Sequence, residues 1–207
     1  MLLSSRLSIS LIFVGLPVFA ASAPGIKNFD KVDGHVYRGG QPTEEGFRYL
    51  SKLGVKTVID LREPGSRSRA EERAVTRAGM RYVNVPMTGL VAPTEAETAK
   101  ILSILEDSGS GPAFVHCRRG ADRTGAVIAA YHIDHDKWNN HRALDDAMAH
   151  SMSFFQWPRQ NYIRNFRALT VDAKATPPSS ARPSANNIGG SVAATPATAV
   201  PVAGGLN

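Results

Sequence analysis

The single cysteine of the chain, Cys117, stands six positions before Arg123 in the stretch PAFVHCRRGADRTGAVIAAY, residues 112–131. A thiol attacks as its thiolate, and its usual pKa of about 8.5 falls at a helix N-terminus beside guanidinium groups. The planar fork of Arg123 can hold two phosphate oxygens and match the equatorial charge of a phosphoryl group in transfer. Arg118, Arg119, Gly120, Ala121 and Asp122 lie between them. Gly120 lets this segment turn, and its successive backbone N–H groups can surround a phosphate. Thr124 offers a hydroxyl near the sulfur, where it can ease sulfur's departure when water attacks a phosphocysteine. The chemistry implied is phosphoryl transfer through cysteine, with no metal or other cofactor required.

Positioning these groups takes a strand before the cysteine and a helix after the arginine. Pro112–Val115 reads as a buried strand and Thr124–Tyr131 as a helix packed on most of its circumference, which makes Cys117–Arg123 a strand-to-helix turn. His-Cys, five residues, then Arg-Thr in this setting resembles the signature of the cysteine-dependent protein tyrosine and dual-specificity phosphatases. The resemblance implies Cys117 as nucleophile, Arg123 as phosphate clamp, Thr124 as an aid to phosphoenzyme hydrolysis and His116 as a structural residue ordering the loop. Tyr37–Pro42, YRGGQP, is similar to the start of bacterial and fungal dual-specificity-like domains, which makes Arg38 either a second phosphate contact or a surface arginine.

The general acid departs from the family's commonest pattern, in which a separate loop supplies an Asp. The equivalent stretch, Met87–Pro93, reads MTGLVAP and contains no carboxylate. Asp122, immediately before Arg123, resembles the Cys-x4-Asp-Arg arrangement of myotubularins and some secreted bacterial phosphatases. It is the expected acid; the alternative is an Asp that braces Arg123, with Glu95 and Glu97 as more distant candidates. Arg118 and Arg119 meet additional substrate phosphates or face solvent at the rim.

The remaining chain alternates strand-like and helix-like segments. Residues 29–42 read as an opening hairpin turned at Asp33-Gly34. Thr43 can cap a helix carrying Phe47, Leu50 and Leu53, ended by Gly54. Strands follow at 55–61 and 81–85, separated by a helix at 69–78, and Thr94 with Glu97 forms a capping box before a helix containing Ile101 to Leu105. Arg62 and Glu63 leave a strand's C-terminal end, where they either line the site or form a salt bridge. His132, His135 and His141 fit no strong metal-ligand spacing, and histidines are favoured near a helix C-terminus. Helices at 143–152 and 157–169 follow, with Met148, Met152, Phe154, Phe155, Trp157, Tyr162 and Phe166 expected to pack the sheet's second face. The fold class is α/β: one domain with a central, mostly parallel sheet flanked by helices and a phosphatase-like architecture.

Residues 1–23 have the layout of a secretory signal: Arg6, an apolar run at 7–20, and small residues at 21–23. The apolar run is too short for a comfortable membrane span, so none is expected after cleavage. The expected location is periplasmic or secreted, where a lone cysteine has no intramolecular partner and persists as a thiol. Residues 24–171 form the expected phosphatase domain, and 172–207 a Pro-, Ala-, Ser-, Thr- and Gly-rich disordered tail. The net charge of +6 shrinks once Arg6, Lys174 and Arg182 are set aside, leaving 21 basic against 18 acidic residues between Pro24 and Asp172. That near-balance argues against nucleic acid as a partner. The reading is an exported phosphomonoesterase acting on a phosphorylated protein, a phosphoinositide or an inositol phosphate. Its rivals are a non-hydrolytic phosphate or phosphopeptide binder and a rhodanese-like sulfurtransferase.

Overall fold

Asp33 closes the first corner by accepting the backbone N–H groups of His35 and Val36 at 2.6 and 2.7 Å. The hairpin so formed joins β1 (Asp30–Lys31) to β2 (Val36–Gly40) in antiparallel register, as its sequence predicts. The structure is a computed structural model that describes residues 23–170 and Lys174. Apart from Ala23 and Lys174, the signal and tail segments lie outside the described residues. Lys174, assigned by sequence to the tail, pairs with Glu106 at 2.7 Å and with the buried Asp134, so contacts of the domain extend at least that far.

Thr43 accepts the N–H of Gly46 and starts α1 (Glu44–Lys52). The chain then runs through β3 (Thr57–Asp60), α2 (Ser66–Arg77) and β4 (Arg81–Asn84). Helix α2 begins three residues earlier than its apolar spacing implies, because the Ser68 hydroxyl accepts the Gly65 N–H at 2.7 Å and nucleates the first turn. The Thr94–Glu97 capping box opens α3 (Glu95–Leu105), and β5 (Ala113–Cys117) leads into α4 (Asp122–Asp134). Helices α5 (Asn140–Ala149) and α6 (Trp157–Asn165) complete the described fold.

The sheet order is β1-β2-β5-β3-β4, parallel except at β1, which places the cysteine-bearing strand in the middle. One face is covered by α1 and α2 through Phe47, Leu50, Ala74 and Val75. The other is covered by α3 and α4 through Ile101, Leu102, Val127 and Ile128. Helices α5 and α6 do not reach the sheet's second face as expected; they pack on the outer side of α4 through Ala143, Ala147 and Ile163. Of the aromatic and Met set assigned to that face, Met152 is buried, Met148 and Tyr162 are half-buried against the outer side of α4, and Phe166 is half-buried against both that layer and the core of the second face. Phe154 and Phe155, in the turn before α6, and Trp157, at its first position, are exposed.

Candidate active site

The sheet's register brings three strand ends to one point. Gly40 of β2 pairs with Cys117, and Asp60 of β3 pairs with His116, so the loop after β5 emerges between two neighbours at their C-terminal ends. Open parallel sheets bind ligands along this edge. Gly120 has φ +71°, and a Cβ there would lie 2.3 Å from the carbonyl carbon of Gly39. Only glycine permits both the conformation and the approach. Asn28 Nδ2 and an Arg38 Nη donate to the Gly120 carbonyl at 2.9 and 3.4 Å, which holds that oxygen toward the back of the loop.

Cys117 is 3% exposed. Burial pushes its thiol pKa up, but the Thr124 hydroxyl, the backbone N–H groups of Thr124 and Arg119, and the Arg123 charge together hold it below the usual thiol value. The buried Thr124 hydroxyl has no aligned hydrogen-bond partner among the described residues, which leaves it available to a charge on the sulfur. Arg123 donates to the carbonyls of Leu61 and Met87, both at 3.3 Å, so the ends of two strands aim its guanidinium. The structure thus brings Cys117, Arg119, Gly120, Ala121, Asp122, Arg123 and Thr124 into one turn, with Arg118 and Arg119 exposed on it.

Arg38 is not placed as a phosphate contact. It is 1% exposed, and its Nη1 pairs with Asp146 at 3.1 Å, so its guanidinium is engaged in supporting the loop from behind. Asp146 also contacts His150, which bonds Asp30 at 2.9 Å. Asp122 does not brace Arg123: one carboxylate oxygen pairs with Arg119 and the other accepts the Ser153 N–H at 2.7 Å. Glu97 caps α3 by accepting the Thr94 N–H at 2.7 Å, and Glu95 is exposed beside it.

His116 is fully buried and stacked on Phe114. Its Nε2 lies 2.7 Å from a Glu71 oxygen, close enough for strong attraction although the pair is not aligned as a hydrogen bond. Burial opposes protonation, but Glu71 and Asp60 raise the imidazole above its usual value. Arg62 is held bidentately by Asp60 at 2.8 and 2.7 Å and also pairs with Glu71, while Glu63 is exposed. Asp60, Glu71 and His116 converge donor atoms within 4.8 Å as a metal site would. Arg62 already engages both carboxylates, so the protein's own cation fills that role. His132 and His135 pair instead with Asp136, and His141 with Asp145.

Asn28, Asp60, Glu71 and Arg159 are supporting residues that sequence reasoning missed. Arg159 is fully buried and donates to the carbonyls of Thr88 at 2.6 Å and Gly89 at 2.9 Å, and to the Gln156 side chain. It tethers the segment after β4 to the start of α6. Burial lowers its pKa, against the opposing charges of Asp122 and Cys117.

A family model described as "DSP-PTPase phosphatase fused to NAD+ Kinase" matches residues 16–165. The chain belongs to this DSP-PTPase family. It is similar to NAD kinase 2, chloroplastic, of Arabidopsis thaliana, 31% identical over 46% of this chain and 10% of that protein. It is also similar to the dual specificity protein phosphatase TpbA of Pseudomonas aeruginosa, 27% identical over 63% of this chain and 57% of that one. The chain therefore spans about a tenth of the plant protein's length and just over half of the bacterial one. Among solved structures it resembles the catalytic core of the PP-IP phosphatase SIW14 from S. cerevisiae, with a TM-score of 0.59 and 25% identity over 68% of this chain and 85% of that one.

Two outcomes follow from these environments. Iodoacetamide inactivation of Cys117 will show a pH midpoint below that of an ordinary thiol, and Thr124→Val will move it upward; an unshifted midpoint in both proteins would remove the proposed stabilisation of the thiolate. His150 is pushed up to about 9 by its hydrogen bond to Asp146, against partial burial. A folded pKa above the unfolded value of about 6.5 contributes stability that is full below that pH and lost as pH rises through the folded pKa. Thermal melts of wild type and His150→Gln should therefore differ most below about pH 6.5 and converge above about pH 9.

Proposed function

We propose that this chain hydrolyses phosphate monoesters through a phosphocysteine on Cys117. The observation that carries the reading is the buried sulfur at the C-terminal end of the central strand, opening a tight loop that turns at Gly120 and runs through Arg123 into the N-terminus of α4. In the first step the thiolate attacks phosphorus, an S–P bond forms, and the P–O bond to the alcohol breaks as its electron pair leaves on oxygen. The loop N–H groups and Arg123 hold the three equatorial oxygens. In the second step water attacks phosphorus, inorganic phosphate leaves, and the electron pair returns to sulfur, where the Thr124 hydroxyl stabilises it.

The departing oxygen needs a proton, and Asp122 is the proposed donor. Its Oδ2 is held by Arg119, a side chain 60% exposed on the rim. A dianionic substrate would draw Arg119 toward its phosphate, freeing that oxygen for a proton while the Ser153 N–H keeps the other in place. Substrate classes follow from the relatives' names: a dual specificity protein phosphatase supports phosphorylated protein, and a PP-IP phosphatase supports an inositol phosphate. The signal-like residues 1–23 support action in the periplasm or outside the cell.

Phosphate release should be measured across phosphotyrosine and phosphoserine peptides, phosphoinositides and inositol hexakisphosphate. Cys117→Ser is expected to abolish turnover on all of them while retaining phosphate binding; turnover that survives would refute the phosphocysteine, and thiocyanate formation by wild type without phosphate release would reassign the chain to sulfur transfer. General-acid help is worth about 10²–10⁴-fold, so Asp122→Asn is expected to slow an alkyl phosphate by that order and an activated aryl phosphate far less. Equal losses on the two substrates would assign Asp122 to structure.

A further inference from the structure

Among the described residues, the large apolar side chains that stand exposed fall in two places only. Leu90 and Val91, 75% and 57% exposed, lie in the segment after β4. Phe154 and Phe155, 65% and 80% exposed, lie in the turn between α5 and α6, and Trp157, 56% exposed, opens α6 directly after it. Apolar side chains scattered singly over a surface need no explanation, but five at two joined turns do.

The turns are joined by buried groups. Arg159 links the carbonyls of Thr88 and Gly89, immediately before Leu90, to Gln156, immediately before Trp157. Gln160 donates to the Phe154 carbonyl at 3.0 Å and fixes the second turn from inside. Phe154 meets Phe155 and Trp157 edge-on, with centroids 5.8 and 5.9 Å apart, so the three rings form one wedge. The wedge is also fixed to the catalytic loop, because Asp122 holds both the Ser153 N–H and Arg119. Asp122 thereby ties the exposed cation Arg119 to Ser153 at the base of the wedge, and Arg118, next to it in the loop, is exposed as well.

We propose that this rim docks the protein on a bilayer containing anionic phospholipid, with the five apolar side chains entering the acyl boundary and Arg118 and Arg119 at the phosphate level. An apolar body beside cationic groups matches the lipid interface in both chemistry and order, as in other surface-bound proteins. A peptide would be taken along a groove or a free strand edge, whereas none of the five side chains lies on the edge strands β1 and β4. Apolar rings and aliphatic tips exposed to water carry an unfavourable hydration that entry into a bilayer removes. Docked this way, the catalytic loop faces phosphates at the membrane surface. That consequence rests on the phosphatase reading; the docking itself does not.

The test uses the full-length chain purified after export. Flotation is measured with phosphatidylcholine vesicles and with phosphatidylcholine–phosphatidylglycerol vesicles, and tryptophan fluorescence is followed with brominated phosphatidylcholine. The expected result is partition onto the anionic vesicles with quenching that Trp157→Phe abolishes, which separates Trp157 from Trp138. The pair Phe154→Ser, Phe155→Ser and the single Leu90→Ser should each weaken partition about tenfold or more, because binding scales with buried apolar area. Hydrolysis of a soluble aryl phosphate by these variants should stay close to wild type and shows that they fold. No partition, or partition insensitive to the substitutions, overturns the proposal. So does a dimer in sedimentation that the serine variants dissociate, which assigns the rim to a second copy, or a selective loss on phosphopeptides without vesicle binding, which assigns it to a peptide. Vesicle binding by a protein that hydrolyses no phosphate ester would instead reject the phosphatase reading and leave the docking intact.

Discussion

A buried sulfur whose pKa is held below the usual thiol value is the constraint around which the fold is arranged. Taking a negative charge out of water is costly unless donors and cations are already in place to meet it. Cys117 meets this cost with groups positioned by the backbone: the N–H groups of Arg119 and Thr124, the start of α4 and the Arg123 guanidinium. None of these can act unless the loop turns tightly enough to bring its N–H groups onto the sulfur. The turn is therefore enforced from outside, by Gly120 packed on the backbone of Gly39 and by Asn28 and Arg38 on the Gly120 carbonyl.

Those supports come from distant parts of the chain, and the sheet explains why they meet. With β5 central and parallel to both neighbours, the segments leaving β2 and β3 arrive beside the loop. Arg38 arrives within β2 and is neutralised by Asp146 of α5; His116 arrives on β5 and is met by Glu71 of α2 and Asp60 of β3. Removing one partner of a buried pair costs about 3–5 kcal/mol, far more than the net worth of the intact pair. The networks therefore act as conformational locks: any displacement of the loop that separates their members leaves a charge uncompensated.

The candidate catalytic turn is legible because its chemistry is local. Cys117, Gly120, Arg123 and Thr124 lie within eight residues, and the strand and helix around them announce themselves by composition. The parallel sheet followed from strand–helix alternation, and the caps at Thr43 and Thr94 from residue type alone. What sequence could not supply was the partner of a residue across the fold. Arg38 looked available for phosphate until Asp146, 108 positions away, was found on it. Arg62 left two readings open, and the ion network with Asp60 and Glu71 decided between them. Phe154, Phe155 and Trp157 looked like core because apolar rings usually are; their exposure depends on Asp122 and Gln160 holding the turn outward, which no periodicity encodes.

The segment after β4 ties these observations together. In the family's commonest arrangement this position supplies the acid, and a loop with that duty must carry a carboxylate to the substrate. Here it carries none, and its carbonyls are fixed by a fully buried arginine without a carboxylate pair among the described residues. Burying a guanidinium against carbonyl oxygens alone is an expensive way to fix a loop, and a loop that had to open and close with each turnover would gain nothing from it. With the proton donor proposed at Asp122, inside the Cys117–Arg123 loop, the segment has no need to move with each turnover. Held by Arg159 at Thr88 and Gly89, it keeps Leu90 and Val91 exposed, where they can position the domain against whatever carries the phosphate.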